Sequence, residues 1–424
     1  MKLDEVLKKV GLVFDSDSDI YVHRDMRIPI TVYFDEKREE VVLLDQTKLP
    51  YEVVTWRSKD WKEIADSGIR SMIVRGSQAI GCVAGYATLL AAISLKRCEG
   101  KEFLSQLEEA GTVIKNARPT AYPLMWAVDL VVETARKAVR EGEKTGEVLQ
   151  RMKEAADYFL ATDLALGWFL RQEGMKHIRD GDVIMTHCNG GSLSSSFGGH
   201  ALGMIEEAYS KGVDLIVVSK ETRPRCQGYK LTVWELNRAG VPVVIVTDNM
   251  IFSSFKRYGV SKVILGVDRV ARDGAVINKI GSADLSVIAR RQGIPFYYAT
   301  SYSTMDLKSP VGDDVPIEER DVNEITYFYR LDRKDLRDRG LISDRALSEW
   351  PPLSIISKGK VPKKGEVGLY NPAFDVTPPD AVTAIITDIG TFKPSEVKSL
   401  TGGEINRRVA QRLAEWGLKP PISP

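Results

Sequence analysis

Cysteine and histidine are scarce in this chain, four of each among 424 residues. Cys82, Cys98, Cys188 and Cys226 stand far apart with no CxxC pair, and His23, His177, His187 and His200 form no HExxH. This spacing argues against a zinc ribbon, a disulfide framework or a histidine-rich metal site. A surplus of either charge is lacking too, since 59 Lys and Arg face 58 Asp and Glu. Dedicated nucleic-acid or anionic-membrane binding draws on a basic excess, so neither is expected. GxGxxG and the P-loop pattern are both absent, which leaves dinucleotide and P-loop nucleotide binding without support. One uncharged apolar stretch exists, Ala79 to Leu95, followed by Lys96 and Arg97. It is shorter than the roughly 20 residues a membrane span needs, and Gly, Thr and Ser dilute it, so a buried core helix is expected. The opening MKLDEVLKKVG carries acidic residues and no apolar core. No signal peptide is expected there, and the expected location is the cytoplasm.

What is present describes a globular protein: 43% hydrophobic and 28% charged residues. The length exceeds one compact core and suggests two domains. RIPITVYF and EEVVLLDQT read as strands around a charged turn. From Trp61 the apolar residues recur at three and four, predicting helices in WKEIADSGIRSM, the stretch after Ser77, FLSQLEEAGTVIKNA and PLMWAVDLVVETARKAVREG. Glu147 to Ile178 reads as one long helix joining two domains. Beyond it, short apolar runs (DVIMT, VDLIVVS, VPVVIVT, KVILGV, IPFYYAT, AVTAIIT) begin to alternate with helical segments such as GGHALGMIEEAYSKG and LTVWELNRAG. That rhythm predicts a parallel sheet with helices on both faces. The expected fold is therefore α/β: a mainly helical N-terminal domain with a small sheet over 1–147, then the long connecting helix and a Rossmann-like domain over 148–424. RLDRKDLRDR (Arg330 to Arg339), with eight charged residues in ten, predicts an exposed insertion at about 327–364.

In open parallel sheets, ligands bind beyond the carboxyl ends of the strands, where strand order reverses. His187-Cys188-Asn189-Gly190-Gly191-Ser192 follows DVIMT. Its glycines would let backbone approach a ligand, and amides at the next helix start would favour an anion and a thiolate. The plainer alternative is a small buried cysteine in a tight turn. The loop after VDLIVVS carries Arg223, Arg225 and Gln227, which suit phosphate or sugar hydroxyls, or else surface salt bridges. Asp268 follows KVILGV and shares an edge with Cys188, though a helix cap is the ordinary role of such an Asp. Asn278 and Lys279 come ten residues later. Arg75-Gly76-Ser77 and the segment with Arg118 each precede a predicted helix, as phosphate sites or as plain caps.

Taken together, LLDQTKLP (Leu43 to Pro50), MIVRGSQAIG, ARPTA, THCNGGSLSS, ETRPRCQGYKLT, GVDRV with INKIG, VPIEER (Val315 to Arg320) and NPAFDVTP (Asn371 to Pro378) occur in order. In this the chain resembles the 5-methylthioribose-1-phosphate isomerases, whose family also contains the α, β and δ regulatory subunits of translation initiation factor 2B. The likeness runs roughly from Arg27 to Lys393, and several collinear blocks are far more specific than one motif. The resemblance implies an aldose–ketose isomerase of methionine salvage, a cytoplasmic homodimer acting on a sugar phosphate. No metal or cofactor, nucleic acid or membrane is implied. It also implies that Cys188 and Asp268 are the catalytic pair and that Arg75, Gly76, Ser77, Arg118, Gln227, Asn278 and Lys279 bind the sugar phosphate. Two segments depart from the family pattern: RGSQAIG stands where RGAPAIG is usual, and CNGGSLSS where CNAGALAT is usual. Both are expected to add polar groups to the pocket. Two other functions remain open at this point. An isomerase of ribose 1,5-bisphosphate or another sugar 1-phosphate would want more Arg or Lys in the pocket, whereas LLDQTKLP fits the methylthioribose enzymes better. A non-catalytic regulatory subunit need not keep both Cys188 and Asp268.

Overall fold

A computed structural model describes residues 2–119, 121–326 and 366–421, and between 326 and 366 only 335, 337–341, 343, 354–357, 361, 362 and 364. The charged segment expected as an insertion at about 327–364 falls mostly outside the described residues.

The six apolar runs all become strands of one sheet. Its spatial order is Gly390–Phe392, Ala384–Thr387, Phe296–Thr300, Lys262–Leu265, Asp182–Thr186, Leu215–Lys220, Val243–Val246. Every neighbouring pair is parallel except the edge strand Gly390–Phe392, which runs antiparallel. Ile184, Met185, Val217, Val218, Val263, Ile264 and Leu265 are fully buried. Burial on both faces explains why these strands read as continuous apolar runs rather than alternations. From Asp182–Thr186 the chain winds outward to Val243–Val246, then returns to the other side of its starting strand as Lys262–Leu265. Strand order thus reverses between Asp182–Thr186 and Lys262–Leu265.

A smaller four-stranded sheet, not anticipated from the sequence, lies beside it: Met305–Asp306, Arg269–Ala271, Val276–Lys279, Phe374–Thr377. Strands of two to four residues are too short to display a period. They nevertheless hold Asn278 and Lys279 in register with Asp375 and Phe374.

Toward the N-terminus, Val32–Asp35, Glu40–Leu44 and Thr55–Ser58 form an antiparallel sheet, followed by helices Ser77–Ser94, Gly100–Lys115 and Tyr122–Arg140. Ser77–Ser94 is apolar and long enough to cross a membrane, yet every residue from Gln78 to Ala92 is buried inside the protein. Its small residues allow that packing: Gly81 faces Phe159, and Gly85 faces Ala127 and Ala156. The long helix runs Thr145–Gly174, starting two residues earlier than predicted, and closes in a short 3-10 turn, Met175–His177. It packs against Ser77–Ser94 and Tyr122–Arg140 on one side and His200–Ser210 on the other. The final helix, Gly402–Glu415, returns to this region. Ile405, Val409, Leu413 and Trp416 join the buried cluster that contains Val6, Leu160 and Phe169.

Candidate active site

Cys188 and Asp268 follow the two neighbouring strands between which the order reverses, and both open onto one cavity there. The other seven residues singled out from the sequence, Arg75, Gly76, Ser77, Arg118, Gln227, Asn278 and Lys279, line the same cavity. Nine positions spread over some two hundred residues of chain therefore meet at one place.

The backbone around Cys188 is held in a conformation most side chains avoid. Cys188 has φ 64°, and Thr222 and Cys226 in the neighbouring loop have φ 64° and 58°. Left-handed backbone with a Cβ costs about 1–2 kcal/mol per residue and persists only where the surroundings impose it. Here the Cys188 amide donates to Thr222 Oγ1 (2.7 Å), and Thr232 Oγ1 donates to the Cys188 carbonyl (2.5 Å). Thr222 Oγ1 also lies 3.2 Å from His187 Nδ1, while His187 Nε2 lies 2.8 Å from the Ile280 carbonyl. The carbonyl assigns the ring proton to Nε2. Burial, then the charge on Lys220, drives His187 well below its ordinary range, so it stays neutral and structural.

Asp268 is exposed to the cavity and otherwise walled in by protein. That desolvation pushes its carboxyl above the usual range, against the pull of Lys279, Arg75 and Arg118. The nearby cations favour its charged form, and burial outweighs them. Lys279 is pushed down by burial and drawn back up by Cys188 and Asp268. Its Nζ sits 4.4 Å from the Phe374 ring centre. Asn278 Nδ2 donates to Ser282 Oγ (2.9 Å).

On the opposite wall, the helix Ser77–Ser94 starts at Gly76 without a side-chain cap. Gly76, Ser77 and Gln78 all line the cavity, so the first amides of an 18-residue helix are available to an anion. Gly76 is required by geometry. Its φ is 99°, and a Cβ there would lie 2.4 Å from the Ser194 Cα. Arg75 donates from one nitrogen to the backbone oxygen (2.9 Å) and Oδ1 (2.8 Å) of Asn189.

Three expectations need correction. The amides after Cys188 are not free for a ligand: the buried Glu235 carboxylate accepts from the amides of Ser192 and Leu193. Nor do Gly190 and Gly191 serve mainly to let a ligand approach. A Cβ on Gly190 would lie 2.8 Å from the Gly266 Cα, and one on Gly191 would lie 2.0 Å from Glu235 Oε1. Finally, only part of the added polarity faces the cavity. Gln78 and Ser194 line it, whereas Ser192 Oγ accepts from the Gly198 amide and Ser195 Oγ from Gly199.

The fold also separates two arginines that look equivalent in sequence. Arg225 lines the cavity and donates to Glu324 (3.2 Å), while Arg223 turns away to the Ile325 carbonyl (2.8 Å). Arg320, the last residue of VPIEER and unassigned from the sequence, lines the cavity and forks onto Glu324 (2.7 and 2.9 Å). Arg118 and Arg225 are both pushed down, first by burial and then by neighbouring arginines. These guanidinium groups bring positive charge to the cavity, offset in part by Glu324. Among the described residues no group of three or more His, Cys, Asp or Glu is placed to hold a metal ion.

Residues 73–394 match the initiation factor 2 subunit family. A putative methylthioribose-1-phosphate isomerase of Methanocaldococcus jannaschii is 38% identical over 364 residues, 86% of this chain and 95% of that protein. The methylthioribose-1-phosphate isomerase of Desulforudis audaxviator is 37% identical over 84% of this chain and 93% of its own length. Among solved structures, 5-methylthioribose 1-phosphate isomerase from Pyrococcus horikoshii superposes with TM-score 0.73 at 28% identity, covering 92% of this chain and 98% of that one. The translation initiation factor eIF-2B subunit delta from A. fulgidus gives 0.69 at 31% identity, covering 90% and 99%.

Proposed function

This chain belongs to the initiation factor 2 subunit family, and from that premise we propose that it is an aldose–ketose isomerase converting 5-methylthioribose 1-phosphate to 5-methylthioribulose 1-phosphate. One observation carries the reading: a thiol and a carboxyl on either side of the strand-order reversal open on one cavity, facing an uncapped helix start and a set of cations. A regulatory subunit would have no use for that pair.

The substrate's anomeric oxygen carries phosphate, so its ring cannot open by loss of a proton from O1. Asp268, protonated, gives its proton to the ring oxygen as the C1–ring-oxygen bond breaks. Cys188 as thiolate takes the proton from C2, leaving a C1–C2 enol with the phosphate still on C1. Return of the Cys188 proton to C1 and of the O2 proton to Asp268 yields the ketose and restores both groups. Lys279, beside both, offsets negative charge as it moves between them. Arg75, Arg118 and the amides from Ser77 hold the phosphate, supplying remote binding energy for the reacting carbons. Gln227 and Asn278 face the sugar hydroxyls.

The same reading makes the protein a cytoplasmic homodimer whose subunit divides near 147 into an N-terminal domain and a Rossmann-like catalytic domain over 148–424. A second reading, isomerisation of ribose 1,5-bisphosphate, has in its favour Arg225 and Arg320 on the cavity wall, two cations that share the one carboxylate of Glu324. Turnover of purified protein on 5-methylthioribose 1-phosphate, ribose 1,5-bisphosphate and ribose 1-phosphate decides between them. The methylthio substrate is expected to give the highest kcat/KM, with phosphate retained on C1. A chain that turns over none of the three is not an isomerase of this kind.

A further inference from the structure

Two glutamates the mechanism does not use lie buried behind the loop that carries Cys188. Glu206, on helix His200–Ser210, is 1% exposed, and Glu235, on helix Trp234–Arg238, is fully buried. Two buried carboxylates side by side cannot both ionise without heavy desolvation cost and repulsion. Their surroundings differ. Glu235 accepts from Asn189 Nδ2 (3.2 Å) and from the backbone amides of Ser192 and Leu193. Glu206 receives no hydrogen bond from any protein donor at either oxygen. Burial, then the charge on Glu235, pushes Glu206 well above the ordinary carboxyl range. The nearby Arg171 is paired with Glu207 at 3.6 Å.

We infer that Glu235 is a positioning residue for the reaction, bonded to the loop amides and to Asn189, and that Glu206, buried with no protein donor at either oxygen, carries the proton of the pair. With its Nδ2 committed to Glu235, Asn189 must turn Oδ1 toward Arg75, which donates to it at 2.8 Å. The Glu235 carboxylate thus reaches the cavity through Asn189 and Arg75, and holds the far limb of the loop through Ser192 and Leu193. Gly191 belongs to the device, because any side chain there would displace the carboxylate. This inference rests on the isomerase reading only where activity is the measurement.

The test uses Glu235→Gln and Glu206→Gln in the full chain. An amide at 206 is uncharged as the protonated acid is, so that variant is expected to keep kcat and KM within about twofold. An amide at 235 keeps one acceptor oxygen and sets its N–H groups against either the Ser192 amide or the Asn189 and Leu193 donors. It is expected to lower kcat/KM about ten- to a hundredfold, with KM raised as Arg75 loses its brace. A merely structural Glu235 would lower the melting temperature and leave kcat and KM alone, which would overturn the inference. Two readouts need no substrate. The rate of Cys188 alkylation by iodoacetamide, assigned by mass spectrometry, should change in Glu235→Gln and not in Glu206→Gln. The infrared carbonyl band of a protonated carboxyl at neutral pH should lose intensity in Glu206→Gln, and an unchanged band would overturn the proton assignment. If Glu235→Gln does not fold, Glu235→Asp, which keeps the charge and shortens its reach, carries the same measurements. A wild-type protein inactive on every sugar phosphate would defeat the isomerase reading, while alkylation and the infrared difference would still decide this one.

Discussion

In the proposed mechanism Cys188 and Asp268 carry the chemistry at the residue scale, and each is placed by backbone rather than by contacts of its own side chain. Replacing Cys188 with Ala or Asp268 with Asn should therefore lower kcat by about a hundredfold or more, with thermal unfolding little changed. Steady-state kinetics beside a melting curve checks both, and full activity in either variant removes that residue from the mechanism. A third residue makes a pH prediction. Asp388, at the end of strand Ala384–Thr387, is 1% exposed and accepts from the Tyr302 amide at 3.0 Å. Burial pushes its carboxyl from 3.8 up to about 7. The folded protein thus holds a proton that the unfolded chain has released, so this group's contribution is full at low pH and is lost as pH rises through about 4 to 7. Asp388→Asn should match the wild type in stability near pH 4 and exceed it above pH 7 by an amount on the order of a few kcal/mol. A stability difference that does not vary with pH would show that Asp388 does not titrate in this window.

Two turns that precede helical segments differ in who satisfies their amides, and that difference sets their roles at the element scale. The 3-10 turn Ser192–Ser194 is filled by Glu235 and serves the loop. The start of Ser77–Ser94 is uncapped and faces the cavity, so its amides and dipole are the ones the proposed phosphate site uses. Gly76→Ala would force a methyl against the Ser194 backbone at a φ of 99°. The expected result is about 2–4 kcal/mol of lost stability and a KM at least about tenfold higher. Unfolding and saturation kinetics on one preparation read both, and an unchanged KM would show that the phosphate does not use this helix. Sequence alone treated the two turns as equivalent anion sites, because Glu235 lies 46 residues from Asn189 and nothing local announces it.

The last helix closes the molecule by returning to its first core. Trp416 packs 5.4 Å from Trp168 and 6.0 Å from Phe169, with Lys9 Nζ 3.9 Å from its ring centre. Removing residues 401–424 would uncover the rings of Trp168 and Phe169, and should lower Tm by about 5 °C or more. Calorimetry checks this, and an unchanged Tm would show that the helix adds no stability. The composition of the chain determined much by itself. Six apolar runs separated by helical periods specify a parallel sheet, since strands buried on both faces must be continuously apolar. That sheet's carboxyl edge then puts Cys188 and Asp268 together, as collinear motifs such as THCNGGSLSS and GVDRV also implied. Only the tertiary structure decided which arginine of Arg223 and Arg225 enters the cavity, that Arg320 joins it, and that Glu235 fills the turn after Cys188. Strand and helix periods are written within a dozen residues and survive in the sequence. Contacts such as Arg75 to Asn189, 114 residues apart, depend on how finished elements stack, and no local pattern records that.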